Sequence, residues 1–168
     1  MELALLEPAS ARALAAGINH NGHPWASGYP LGSTLICAEL TAAAAAQRAP
    51  LGEFGTYQVI RRADGNVIGD VGFMGPPDDT GAVLLGCAIT EDARGQGYAT
   101  EALSAMVEVA KKSGLRRLYA LCHRDHHASA RVLEKCDFAR EGVLRAHVEF
   151  PNLSPGEPQD VACYAILL

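Results

Sequence analysis

The chain is short of the features that mark several protein classes. Only 6% of its 168 residues are aromatic, with a single Trp, and 14 Lys and Arg stand against 19 Asp and Glu. The resulting net charge of -5 argues against a phosphate backbone as the main partner, so no nucleic acid is expected, and it permits a cationic or amine substrate. No basic stretch precedes an apolar one at the start, and no run approaches the roughly 20 uninterrupted apolar residues of a membrane helix. Neither export nor a membrane partner is therefore expected. The five cysteines, at 37, 87, 122, 136 and 163, are odd in number and contain no C-x-x-C pair. That pattern suggests neither a disulfide framework nor a zinc knuckle, and a reduced, cytoplasmic setting is the default expectation. Beyond one alanine run there is no low-complexity linker and no internal repeat, so residues 1–168, 49% hydrophobic, are read as one globular domain.

What is present has a readable order. "MELALL" suits an edge strand, and Pro8 opens a helix-like "PASARALAAG" with Gly17 as its stop. Residues 18–34 are dense in Gly, Pro, Asn and His and read as a shaped loop, and "LICAELTAAAAAQRA" reads as a helix closed by Pro50. Three strand-like runs, "YQVIRR", "VIGDVGF" and "AVLLGCAI", with an Asp-Gly turn between the first two, predict an antiparallel meander over 57–89. A helix with Ala99, Leu103, Met106, Val107 and Ala110 on one face follows, ended by Gly114. Then come a strand "LRRLYALC", a helix "DHHASARVLEKC" with Asp125 as its expected N-cap, and two strands, "FAREGVLRAHVEF" and "DVACYAILL". The order is that of a mixed α/β sheet.

"DARGQGYATEAL", residues 92–103, puts two glycines and an arginine at the start of a helix. The first turn of a helix has unpaired N–H groups and a partial positive charge, so it attracts anions such as a pyrophosphate. Glycines there keep Cβ atoms out of a phosphate's way, Arg94 would add a charged contact, and the N–H groups from Gly95 through Gln96, Gly97, Tyr98 and Ala99 to Thr100 would form the nest. The competing reading is a plain glycine turn.

Arg94 to Ala99 match the R/Q-x-x-G-x-G/A acyl-CoA motif, and the chain resembles the GCN5-related N-acetyltransferases (GNAT). "LRRLYALCHRDHHASARVLEKCDFAREGVLR" further resembles the RimJ/RimL branch, in which a strand, a polar turn, a helix reading S-x-x-V-L-E-K and a G-F recur in this order. Together these cover about residues 57–168. The resemblance implies a single-domain α/β (α+β) fold with a mixed, largely antiparallel sheet of about six or seven strands flanked by about four helices. It implies acetyl-CoA as cosubstrate, no metal, and direct attack of a primary amine, from a small molecule or a protein N-terminus, on the thioester. The pantetheine and acyl carbonyl would then bond the backbone of Cys87 and Ile89, and the pyrophosphate would rest on the Gly-rich turn. The last strand of such folds often pairs in dimers, so a homodimer is a further expectation.

Two departures from the family pattern bear on catalysis. Where many relatives carry a strand glutamate that takes the amine's proton, this chain has Leu84; Asp70 on the neighbouring strand is the candidate substitute if it faces the same pocket, and otherwise a solvated carboxylate. His126 stands where the family usually has an asparagine that bonds pantetheine. Ser129 matches the branch's serine that can protonate or hold the departing sulfur, Leu133 occupies the place of an acid tyrosine in other branches, and Asp137 replaces a glycine before Phe138. An ordinary hydroxyl in a helix's first turn is the alternative for Ser129.

"CHRDHH" places His123 and His127 four apart near Cys122, Asp125 and His126, as metal ligands on a helix would be, but across an expected strand end and helix start. Structural burial is the expected role of Cys87 and Cys122, with a cysteine nucleophile as the alternative. His20, His23, Trp25 and Tyr29 are read as an acceptor lip or as a loop packed around Trp25, and "PNLSPGEPQ" as the opposite wall. An acyl-CoA-binding module without turnover and a cysteine- or metal-dependent hydrolase are the alternatives to an acetyltransferase.

Overall fold

A computed structural model describes residues 1–149 and 155–168. The elements are β1 (Glu2–Leu5), α1 (Pro8–Ala15), α2 (Gly32–Ala46), β2 (Thr56–Ile60), β3 (Val67–Phe73), β4 (Ala82–Ile89), α3 (Tyr98–Lys112), β5 (Arg117–His123), α4 (His127–Lys135), β6 (Ala139–Glu149) and β7 (Pro158–Leu167). The strands form one sheet in the order β1-β2-β3-β4-β5-β7-β6. Every neighbouring pair is antiparallel except β4 and β5, which run parallel. The expected mixed, largely antiparallel sheet with four helices is what the chain forms.

α3 follows its apolar stripe: Ala102, Leu103, Met106, Val107 and Ala110 are buried against Val71, Phe73, Val83 and Leu118. It ends where expected. Gly114 adopts φ 71°, its N–H reaches the Lys111 carbonyl, and the Leu115 N–H reaches that of Ala110, which satisfies the last orphan carbonyls. On the other face, α1 and α2 enclose Leu6, Ala11, Leu14, Tyr29, Ala38, Ile60 and Val67. β5 shows the sidedness plainly: Leu118, Ala120 and Cys122 are buried, while Arg117, Tyr119, Leu121 and His123 alternate with them half-buried.

Three expectations need correction. α2 begins at Gly32 rather than Leu35, because Thr34 already holds the helix start: its hydroxyl accepts the Leu31 N–H at 3.2 Å. The N-cap of α4 is His126, not Asp125, whose main-chain carbonyl is taken by the His127 N–H. β7, the last strand, is interior between β5 and β6, so the edge left open at this end of the sheet belongs to β6, exposed along nearly its whole length.

Candidate active site

The site follows from where β4 and β5 part. Their ladder runs only from Ala82↔Arg117 to Leu84↔Tyr119, whereas β4 stays paired with β3 through Gly69↔Ile89. Beyond Leu84 the sheet therefore opens into a wedge. In an antiparallel ladder alternate residues turn both main-chain groups to the partner. The Leu84 carbonyl accepts from the Met74 N–H at 2.9 Å and the Thr90 N–H donates to the Ile68 carbonyl at 2.8 Å, so the even-numbered residues face β3. Cys87 and Ile89 thus aim their N–H and C=O groups into the wedge. The Ile89 carbonyl accepts from Arg94 Nε at 3.1 Å, which ties the arginine to the wide end.

Directly beyond Ile89 lies the Gly-rich turn. Gly95 and Gly97 have φ of 75° and 88°, a left-handed backbone that glycine adopts without strain. A Cβ at either would meet nothing within 4 Å, so both face open space. Gly97 caps α3 without a side-chain bond, and the first α3 N–H with a main-chain acceptor is that of Glu101, on the Gly97 carbonyl at 3.0 Å. Among the described residues, Gly95 to Thr100 offer N–H groups with no main-chain acceptor, and Gln96 is held aside by its amide on the Asp92 carbonyl. The turn is therefore a bend that leaves unpaired N–H groups beside open space, a geometry suited to an anion. These features fit the phosphate and pantetheine parts of acyl-CoA.

On the far side of the wedge, His126 caps α4 and its Nδ1 lies 2.6 Å from Ser129 Oγ. The pair is exposed at His126 and half-buried at Ser129. His123 closes β5 and His127 opens α4, so the two do not share a helix face. Among the described residues no three His, Cys, Asp or Glu side chains are grouped as metal ligands. Leu133 is buried.

Asp70 sits mid-β3 opposite Gln58 on one side and Ala88 on the other, hence on the same sheet face as Leu84, which is bonded to Met74. It is 5% exposed, and the Thr34 hydroxyl donates to its carboxylate. Burial pushes the carboxyl up to about 6, opposed by that hydrogen bond. Asp70 is not a solvated carboxylate. Nothing in the sequence marks Thr34, which stands in the 18–34 segment that reads as loop.

The 18–34 segment packs at the same end of the sheet. Trp25 bridges to Val67, the Ala26 N–H reaches the Val67 carbonyl, and Trp25 meets Tyr29 edge-on with centroids 5.7 Å apart. Tyr29 is buried, its hydroxyl accepting from Gln58 Nε2 at 2.9 Å, and burial pushes its pKa up. His23 is half-buried, with its carbonyl held by Asn19 Nδ2 at 2.6 Å. His20 Nδ1 lies 3.1 Å from Ser10 Oγ. Part of the "PNLSPGEPQ" wall lies outside the described residues.

The site thus combines a row of unpaired N–H groups at one end of a strand wedge with a buried carboxylate beside that strand. Residues 4–139 match the acetyltransferase (GNAT) domain family, and the chain belongs to it. It is 32% identical over 112 residues, 66% of this chain and 61% of the relative, to an uncharacterized N-acetyltransferase, YoaA, of Bacillus subtilis (strain 168). It is 29% identical over 86 residues, 51% of each, to another from that organism, YjdG. The matches thus span between about half and three-fifths of the curated relatives' lengths. The fold is also that of RimL, a ribosomal L7/L12 alpha-N-protein acetyltransferase solved with coenzyme A, at TM-score 0.70, 20% identity and coverage of 99% of this chain and 93% of that one. Among the described residues no helix is long and apolar enough to cross a membrane.

Proposed function

We propose that the chain is an acetyl-CoA-dependent N-acetyltransferase of the RimJ/RimL-like branch, acting on a primary amine. The observation that carries this reading is the parting of β4 from β5 after Leu84, with the open Gly95–Thr100 cradle at the wide end. Acetyl-CoA bound there would place its pyrophosphate on the α3 N-terminus, beside Arg94, and its pantetheine along Cys87 and Ile89, with the thioester toward the narrow end.

The chemistry then asks little of side chains. The amine nitrogen forms a bond to the acyl carbon as the C–S bond breaks; one proton leaves the nitrogen and one reaches the sulfur. Asp70 is the base, reached directly or through water, and its burial holds its proton affinity near the working range. Ser129, positioned by His126, is the donor to the sulfur. Main-chain N–H groups of β4 polarise the carbonyl, and orientation supplies much of the rest. His23, Trp25 and Tyr29 are the acceptor-side residues of this reading, on the loop that packs against Val67 and Gln58. The buried, Thr34-bonded Asp70 favours turnover over a binding-only module, since the missing strand glutamate has a substitute on the same sheet face.

Calorimetric titration with acetyl-CoA, followed by a thiol-release assay over amines and peptides, tests the reading. Binding with release on an amine establishes the transferase. Binding without release on any acceptor supports the inactive module, and no binding removes the cradle from function.

A further inference from the structure

The α2 face of β4 presents Leu84, Gly86 and Ala88, all half-buried and two of them small. A Cβ at Gly86 would meet only the sulfur of Met74, at 3.5 Å, so the strip is open above this residue. Met74, 41% exposed, is bonded to Leu84 through the main chain and so lies at the narrow end of the wedge. From there a cleft of about 240 Å³ continues between α2 and the end of β3, its walls including Leu40, Ala44, Leu51, Phe73 and Met74. None of the residues lining it is charged. The inner face of α2 joins it to the carboxylate: Thr34 bonds Asp70, and Cys37, one turn further on, lines the cleft.

This geometry constrains the acceptor, given the acetyl-CoA reading on which the inference rests. With the phosphates at the wide end and the thioester toward the narrow end, an amine arriving over Gly86 beside Asp70 has the cleft beyond Met74 open to its remainder on this face. A cavity of about 150 Å³ holds one benzene. At about 240 Å³ the cleft takes an aromatic ring or a medium alkyl chain. A second ammonium placed there would lose water and find no carboxylate. We propose that the acceptor is a primary amine carrying one apolar group, and that this group occupies the cleft between α2 and the end of β3.

The test compares kcat/KM for hexylamine, 2-phenylethylamine, ethylamine and 1,6-diaminohexane with acetyl-CoA, in the wild type, Ala44→Trp and Leu40→Asp. Hexylamine and 2-phenylethylamine are expected to exceed 1,6-diaminohexane at least tenfold. Ala44→Trp fills the cleft and should cost the two larger amines about tenfold while ethylamine stays within twofold. Leu40 is 49% exposed, so Leu40→Asp tests the same point without strain on the core, by raising the diamine relative to hexylamine. A diamine preferred by the wild type, an equal loss on all amines in Ala44→Trp, or turnover of none of these amines overturns the proposal. Calorimetry with acetyl-CoA on the same preparations separates the levels: retained binding confines the failure to the cleft, whereas absent binding removes the acetyltransferase reading as well.

Discussion

The hydroxyl of Thr34, in the first turn of α2, donates to the carboxylate of Asp70 in the middle of β3, and both residues are buried. The bond joins the helix that covers one half of the sheet to the strand beside the wedge. Burial nevertheless outweighs it and raises the Asp70 carboxyl to about 6. Only the ionised form can take a proton from an amine. The rate should therefore climb with pH through about 6 and level off above it, and Asp70→Asn should lose that limb and fall on the order of 10² in kcat. A pH–rate profile of both proteins checks this, and an unchanged limb in the variant would return Asp70 to a structural role.

The same group affects stability with a defined sign. The folded state holds the Asp70 proton up to about 6, whereas an unfolded chain releases it near the ordinary carboxylate value of about 3.9. Asp70 therefore takes stability away as pH rises between these values, and the loss is complete above them. Asp70→Asn should be more stable than wild type at pH 8, by an amount on the order of 2–3 kcal/mol, and close to it at pH 4. Thermal melts across this range measure the difference.

Gly97 caps α3 at φ 88° and faces open space. Gly97→Val places two methyl groups where a phosphate would rest and forces a branched residue into a left-handed backbone, at a cost of about 1–2 kcal/mol to folding. Acetyl-CoA affinity should fall at least tenfold, about 1.4 kcal/mol. Calorimetry reads the affinity and a melt reads the folding cost. Unaltered affinity in the folded variant would take the turn out of the site.

The 2.6 Å contact between His126 Nδ1 and Ser129 Oγ predicts a matched pair of variants. If the hydroxyl acts on the departing sulfur as proposed, Ser129→Ala should lower kcat on the order of 10² with acetyl-CoA affinity within about twofold. His126→Ala should lower kcat by less, through loss of the hydroxyl's orientation. Ser129→Ala with wild-type kcat would make the pair a helix-start feature.

The meander and the Gly-rich turn were legible in the sequence because each has a local cause. Short apolar runs and the turn residues between them mark β2, β3 and β4, and the glycines at 95 and 97 stand where the backbone is left-handed. What depends on pairing at a distance was not. The position of β7 between β5 and β6 is a property of the whole sheet, and so is the register that sets Asp70 against Ala88. α2 is the harder case: its alanine-rich sequence declares no face, so neither its start at Gly32 nor the cleft beside Leu40 and Ala44 is legible without its packing on the sheet. Asp70 can be named from the sequence as a candidate base, but its partner Thr34 stands in a segment that reads as loop.

The cysteines separate acetyl transfer by direct attack from thiol catalysis. Burial pushes the Cys87 thiol up to about 12, and Asp70 and Cys136 push in the same direction; Cys37 and Cys122 are raised by burial too. A thiol with a pKa near 12 is ionised to well under one part in 10³ at neutral pH, far from the activated thiolate that a nucleophile needs. Cys87 also turns its main-chain groups, rather than a reactive sulfur, toward the wedge, because odd-numbered residues of β4 face β5 with their backbone. Brief treatment with iodoacetamide at pH 7 should therefore leave thiol release from acetyl-CoA, measured with an amine acceptor after removal of the reagent, within about twofold of the untreated rate. A chelator should change it no more, since direct attack on the thioester needs no metal. Abolition by alkylation, with acetyl-CoA binding retained, would assign the acyl group to a cysteine before it reaches the amine.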